Sequence, residues 1–445
     1  MSLSKALAVL LSFAAAASAV GQGTRLWTQS RLEEFEKGTP AGVTLTSDGQ
    51  LREGPGLVER LTTPSSYVWS VAVDKAGTAY LGTGMPASVL RMGAAKGDKP
   101  FTLFETRELT VQVVRVGPDG AVYAATLPGG RVYRLKSDAQ TKLDEASATL
   151  IFDATAAPGG AVGKSGQKSP ASDPKSFHPV WDMTFDAAGR LYIATGAPAA
   201  VFRVDPAKPA AAAEKFFESD EQHIRALAWD GQGNLLAGTD GSGLVYRISP
   251  AGKGYVLFEA PRREITALAV SAGGTVYAAS VGEKNRNPLP PLPVQGQGSV
   301  TITYVQPGSM QVANASASLP EGTEIFALKE GQAPRRLWAG KDDIVYALRS
   351  RPDGLLAVTG NRGRILRIAD DGSYADLGHL EAQQGLSLAE AEGGVLVGTG
   401  NTGKLVCLCA AERHEYASDV FDAGAMARFG RVEADPESAG FEVLT

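Results

Sequence analysis

Cysteine is almost missing from this chain: 445 residues carry two, Cys407 and Cys409. A disulfide-stapled scaffold and a four-cysteine zinc ribbon are both excluded. The pair stands two apart on one expected strand. The side chains share a face but are too close along extended backbone for a comfortable disulfide, so they read as two small buried hydrophobes. The four histidines, at 178, 223, 379 and 414, are scattered, and no Ser-His-Asp arrangement follows from their spacing. Basic charge is short as well. Lys and Arg number 43 against 48 Asp and Glu, a net charge of -5, which argues against nucleic acid as a partner. No apolar run is long enough for a membrane span. The longest, ALAVLLSFAAA, follows Lys5 and ends at Ala17-Ser18-Ala19, so residues 1–19 read as a cleavable secretory signal peptide. Cleavage after Ala19 would leave a periplasmic or secreted chain with a net charge of about -6, because Lys5 is lost.

Glycine is abundant, at 52 residues, and it punctuates a repeat. The stretch HIRALAWDGQGNLLAGTDGSGLVYRISPAGKGYVLFEA (223–260) reads as four short strands separated by Gly, Asp and Pro turns, the pattern of antiparallel hairpins. Its opening position recurs at Val68, Val111, Val180, Ile224, Ile265, Val345 and, more weakly, Gly385. Short spacings are about 40 to 44 residues, the range of four-stranded propeller blades. Two longer spacings, about 69 and 80, contain insertions at 154–177 and 283–322. The second strand always ends in a hydroxyl: Thr83, Thr126, Thr195, Thr239, Ser280, Thr359, Thr399. The third carries Arg91, Arg134, Arg203, Arg247 and Arg367 in register, expected to pair with Glu105, Asp153, Glu218 and Glu259 on fourth strands. The expectation is an all-β, seven-bladed β-propeller over 57–410, because no single sheet can shield both of its faces.

The flanks are less regular. Residues 24–37 are expected to be helical, and GVTLTSDGQL (42–51) to form a hairpin within a 20–56 extension. The last repeat lacks a fourth strand. LVERLT (57–62) is the preferred candidate to complete it, with EYASDVF (415–421) as competitor. Residues 411–445 stop repeating and look like the start of a C-terminal β-sandwich module, either incomplete or packed on the propeller rim. The 283–322 insertion lies between the second and third strands of the fifth blade, over the mouth described below. It is either a lid or docking arm, or a tolerated surface excursion.

VWSVAVDKAGTAYLGTG (68–84), with its hydrophobic-Asp-x-x-Gly turn, resembles NHL-type propellers and the gluconolactonase/regucalcin-like (SMP-30) group. LLAGTDGSGLVYRI (235–248) resembles the two-component-regulator propeller repeat of periplasmic sensors. The repeats do not match the WD40 pattern, an Asp-box or a quinone-propeller signature. Such repeat motifs imply a fold and leave activity open.

Chemistry is expected where the copies disagree. One residue into the first strand they read Trp69, Gln112, Trp181, Arg225, Thr266, Tyr346 and Leu386; the preceding position includes His223 and Glu264. These residues fall at one mouth of the central channel. Trp69, Gln112, Trp181, His223, Arg225, Glu264 and Tyr346 are the candidate ligand-binding set, suited to a flat or sugar-like ligand through stacking and charge-assisted hydrogen bonds. Asp182 stands where other copies are small or apolar, either hydrogen-bonded by a Thr of the hydroxyl ring or, with Glu264, part of a Ca2+ or Mg2+ site. The gluconolactonase-like resemblance implies a metal held by Glu, Asn and Asp; Glu264 and Asp182 would play two of those parts, and no Asn aligns for the third. The leading reading is an exported, non-catalytic propeller that binds a small ligand, glycan or protein. The alternatives are a metal-dependent lactonase or lyase and a purely structural spacer.

Overall fold

The computed structural model describes residues 26–422, apart from 96, 157–177, 210–211 and 285–321, together with 430 and 433. The proposed signal peptide, most of both insertions and most of the C-terminal module lie outside the described residues. Strand pairing gathers the repeats into seven four-stranded antiparallel sheets, numbered here in chain order. They cover 67–105, 110–153, 180–218, 223–259, 264–340, 344–379 and 384–410. The seventh has only three strands of its own, and its fourth is the N-terminal strand Pro55–Thr62, which pairs along Lys404–Ala410. The first strand of each sheet touches that of the next, and the seventh returns to the first, so the inner strands close a ring.

The core follows from this arrangement. Buried apolar side chains form separate clusters, each straddling one pair of neighbouring sheets. Val113, Met183 and Ile193 join the second sheet to the third; Tyr192, Ile224 and Ala237 join the third to the fourth. The seventh and first meet through Val68, Leu81, Leu396 and Cys407, with Leu61 of the N-terminal strand against them. Each sheet is therefore stabilised by its neighbours, as in other repeat architectures.

The hydroxyl ring is buried and structural. Thr239, Thr359 and Thr399 accept hydrogen bonds from the N–H groups of Leu244 (3.0 Å), Arg364 (3.0 Å) and Lys404 (2.9 Å), which opens the third strand of each sheet. Thr83 does the same for Ser88 at 3.1 Å.

Four expectations need correction. The helix at 24–37 shrinks to one turn, Leu32–Phe35, in which only Leu32 is buried. Leu26 and Trp27 stay exposed, and so short a helix cannot persist without an apolar surface to lie on. The in-register arginines do not take the acids expected for them, although Arg203 does reach a different acid on the fourth strand. Arg134 lies opposite Tyr123 in register and reaches Asp119, in the turn after the first strand of its own sheet, at 2.8 Å. Arg247 meets Asp230 at 3.2 Å and Arg203 meets Glu214 at 2.6 Å; Glu105, Asp153, Glu218 and Glu259 pair instead with Lys142, Arg131, Lys215 and Lys284. EYASDVF does not compete for the closing slot, because Glu415–Ala417 pairs with Thr39–Ala41. Lastly, Cys407 and Cys409 are joined as a disulfide, their Cα atoms 5.4 Å apart. Fully extended backbone would hold them about 6.6–7.2 Å apart, at or beyond the long end of the usual disulfide span. The expectation that they stand too close thus has the wrong sign: a local contraction of the strand brings them within reach.

The extension docks on the sixth sheet. The hairpin expected at 42–51 forms from Val43–Thr46 and Leu51–Glu53, and its first strand pairs with the outer strand Tyr374–His379. A buried charge cluster anchors it. Arg364 holds Asp376 at 2.8 Å and Asp343 at 3.5 Å within the sheet, and Glu36 of the extension at 2.9 Å. His379 shares Asp376 at 2.8 Å, a bond that raises its imidazole pKa above the usual value of 6.5. Replacing Arg364 by Met should cost about 3–5 kcal/mol in urea unfolding, because buried carboxylates lose their counter-charge. Since the folded pKa of His379 exceeds the unfolded one, its contribution is full below about pH 6.5 and fades as pH rises through the folded value. Relative to the parent, His379→Gln should remove that part of the pH dependence, read as Tm across pH 5.5–9.

Candidate functional site

Each of the seven inner strands carries a β-bulge, always at the same place. Val68 pairs with Thr83 and Ser70 with Gly82, so Trp69 is passed over. The same register shift skips Gln112, Trp181, Arg225, Thr266, Tyr346 and Leu386. The variable ring position is thus the bulged residue throughout. A bulge leaves one residue out of the ladder and re-aims its side chain. The fold repeats while the residue displayed at the mouth is free to differ.

Glycine makes room for the larger members. A Cβ on Gly360 would stand 2.5 Å from the ring of Tyr346, and one on Gly196 would collide with His223 Nδ1. The recurring Thr-Gly pair at the end of second strands therefore has two jobs: the hydroxyl caps the turn, and the glycine lets a ring lie on the backbone. The dipeptide is visible in the sequence and was a usable signal for where rings sit.

Five of the candidate residues gather on one side of the mouth. The Arg225 guanidinium lies over the Trp181 ring at 3.7 Å and its Nε donates to Glu264 Oε1 at 2.7 Å. His223 meets Trp181 edge-on at 5.5 Å between centroids. Its Nδ1 is buried without a hydrogen-bond partner, and burial holds the imidazole below its usual pKa, with Asp240 opposing the shift. The nearby Tyr346 hydroxyl is pushed up by burial and by Glu264. Trp69 stands apart from these, stacked on Tyr67 at 4.9 Å. Gln112 takes the bulge of the second sheet, with no hydrogen-bond partner among the described residues.

Asp182 is hydrogen-bonded, but its donors are Arg115 and two backbone N–H groups in place of the expected Thr of the hydroxyl ring. Its Oδ1 receives Arg115 Nη2 at 2.5 Å and the Met183 N–H at 2.8 Å, while Oδ2 receives the Leu227 N–H of the next inner strand at 2.9 Å. The carboxylate links three successive inner strands. Ser70, at the same repeat position, accepts the Val114 N–H at 2.7 Å in the same way. Glu264 is likewise engaged by Arg225, and among the described residues no group of three or more His, Cys, Asp or Glu could hold a metal ion. Sequence reasoning missed Arg115, although it too breaks a run of small residues along the inner strands (Ala72, Ala228, Ala269). Two irregularities in adjacent repeats answer one another.

No family model matches this sequence, and no curated protein does. Solved structures do match in shape. A streptogramin B lyase structure superposes with a TM-score of 0.54 at 9% identity, over 80% of this chain and 98% of that one. The fold is that of the β-propellers. A catalytically inactive virginiamycin B lyase from Staphylococcus aureus with quinupristin gives a TM-score of 0.52 at 9% identity, covering 79% of this chain and 99% of the lyase. The extracellular domain of a hybrid two-component system from B. thetaiotaomicron gives 0.51 at 12% identity, with 81% of this chain covered but only 43% of that one. At these identities the likeness is one of fold.

Asp182→Ala should destabilise the propeller by about 2–3 kcal/mol, the cost of leaving Arg115 and the Leu227 N–H without an acceptor. The parent should melt at the same temperature with chelator and with added Ca2+ or Mg2+; a rise on adding either ion would instead identify a metal site.

Proposed function

We propose that this chain is an exported, non-catalytic β-propeller that binds a flat, polar small molecule at the channel mouth. The observation that carries the reading is the assembly of Trp181, Arg225 and Glu264 at consecutive bulges and strand starts, beside His223 and Tyr346. Arg225 stacked on indole widens the flat surface, and its remaining N–H groups offer charge-assisted hydrogen bonds to a ligand that stacks there. Neutral His223 adds a buried acceptor or donor, depending on its tautomer. Pairing of both candidate carboxylates with arginines favours binding over a metal-dependent lactonase or lyase. Export is supported by the leader-like residues 1–19 and by the Cys407–Cys409 disulfide, which suits an oxidising compartment. Among the neighbours in fold, a catalytically inactive lyase was solved with quinupristin, and another neighbour is the extracellular domain of a hybrid two-component system.

A thermal-shift screen of aromatic acids, heteroaromatic amides and short peptides should find ligands. Trp181→Ala and Arg225→Ala should each weaken the best of them by about tenfold or more, equivalent to about 1.4 kcal/mol. Affinity unchanged in both variants would move the site off this part of the mouth.

A further inference from the structure

An open cavity of about 440 Å³ lies where the ring closes, between the seventh sheet and the first. Its wall is the loop 63–66 with Tyr67, and its lip carries Met85, Asn401 and Thr402. None of the residues in the Trp181–Arg225–Glu264 cluster takes part. We propose that this cavity is a binding site for a neutral saccharide, separate from the mouth cluster and independent of how that cluster is read.

Three features point to that chemistry. First, the lining holds no Asp, Glu, Lys, Arg or His, so a charged ligand would find no counter-charge. Second, it is dense in groups that both donate and accept. Ser66 presents an exposed hydroxyl, and the Thr402 hydroxyl donates to the Asn401 carbonyl at 2.7 Å and keeps its lone pairs as acceptors. Asn401 Oδ1 accepts from the Tyr67 hydroxyl at 3.3 Å, while its Nδ2 has no partner among the described residues. Sugar hydroxyls need that mixture, since each both gives and takes a hydrogen bond. Third, one wall is a fixed aromatic. Tyr67 lies nearly parallel to Trp69, 16° between planes, and the Asn401 bond holds its far end. With Trp69 on one face and the Gly400 backbone beside it, the ring brings its edge and hydroxyl to the lining, a mixed apolar and polar surface that suits the C–H and O–H groups of a pyranose. An apolar peptide side chain would want a greasier lining, and Met85, 58% exposed, is the chief apolar surface offered.

The cavity is also built before any ligand arrives. The Thr63 N–H donates to the Gly403 carbonyl at 2.9 Å, and the Gly403 N–H returns a bond to Ser65 at 3.1 Å. Ser65 Oγ donates to the Pro86 carbonyl at 2.8 Å, tying the loop to the first sheet. Its volume falls within the range of about 300–1,000 Å³ typical of small-molecule sites.

The test is saccharide titration of the intact chain by saturation-transfer NMR and calorimetry. The probes are maltose, cellobiose, mannobiose and N,N'-diacetylchitobiose, with digalacturonate as the charged comparison. At least one neutral disaccharide should bind saturably with a Kd on the order of 1 mM or tighter, and digalacturonate should bind more weakly. Thr402→Trp, an exposed position where the new ring fills the cavity, and Tyr67→Ala should each weaken binding about tenfold or more. Tyr67→Phe should weaken it less, and Trp181→Ala should leave it unchanged. If Tyr67→Ala does not fold, Thr402→Trp decides. Absence of saturable binding by every neutral disaccharide, preference for digalacturonate, or binding that survives Thr402→Trp would overturn the proposal. Loss in Trp181→Ala alone would also overturn it, and would assign the sugar to the mouth cluster instead.

Discussion

Every sheet in this molecule has two apolar faces and no means of covering either by itself. That constraint sets the architecture. Burial lies at the contacts between sheets, from Val113 against Met183 to Val68 against Leu396, and each contact exists only if both neighbours are in place. An open row would leave two faces wet, so the chain returns its own N-terminal strand, Pro55–Thr62, to finish the last sheet. Leu61 of that strand lies against the interface between the seventh and first sheets, where the two ends of the ring meet. Closure thus ties distant parts of the sequence into one cooperative unit.

The mouth is a by-product of the same repetition. A ring of inner strands places seven equivalent positions around one axis, and the bulge at each releases one side chain from the ladder. Packing demands are met by the neighbours of that position, which are small or apolar in every sheet except at Asp182. The bulged residue is left to vary without disturbing them. The binding reading rests on this separation: the scaffold is uniform, and the chemistry sits where uniformity is not required. Asp182 marks the boundary. It lies one residue past the bulge, and its charge is consumed in joining inner strands, so it belongs to the scaffold.

Local patterns carried much of this into the sequence. Strand runs, Gly-Asp turns and the hydroxyl at the end of each second strand are written within forty-odd residues of one another and repeat, so the sheets, the closing strand and the variable ring could be read. What could not be read depends on partners fixed only by tertiary geometry. Arg115 and Asp182 are 67 residues apart and meet because adjacent inner strands converge on the axis. Arg364 and Glu36 meet because the extension adds a strand to the sixth sheet, which no repeat announces. The third-strand arginines were assigned to the wrong acids because strand order says who is adjacent, while side-chain direction says who is reached: Arg134 points to the turn holding Asp119. The helix is short for the converse reason: of its apolar set only Leu32 is buried and Phe35 packs on Tyr416, while Leu26 and Trp27 stay exposed.

The account stands on the closing strand, and native-state hydrogen exchange tests it directly. Amides of 55–62 and 404–410 should be protected to the same degree as the inner strands and should open together with them in a single cooperative step. Exchange of 55–62 as fast as an exposed terminus, with 404–410 still protected, would mean that the ring is not shut by this strand. The shared interface between the seventh and first sheets would then need another explanation.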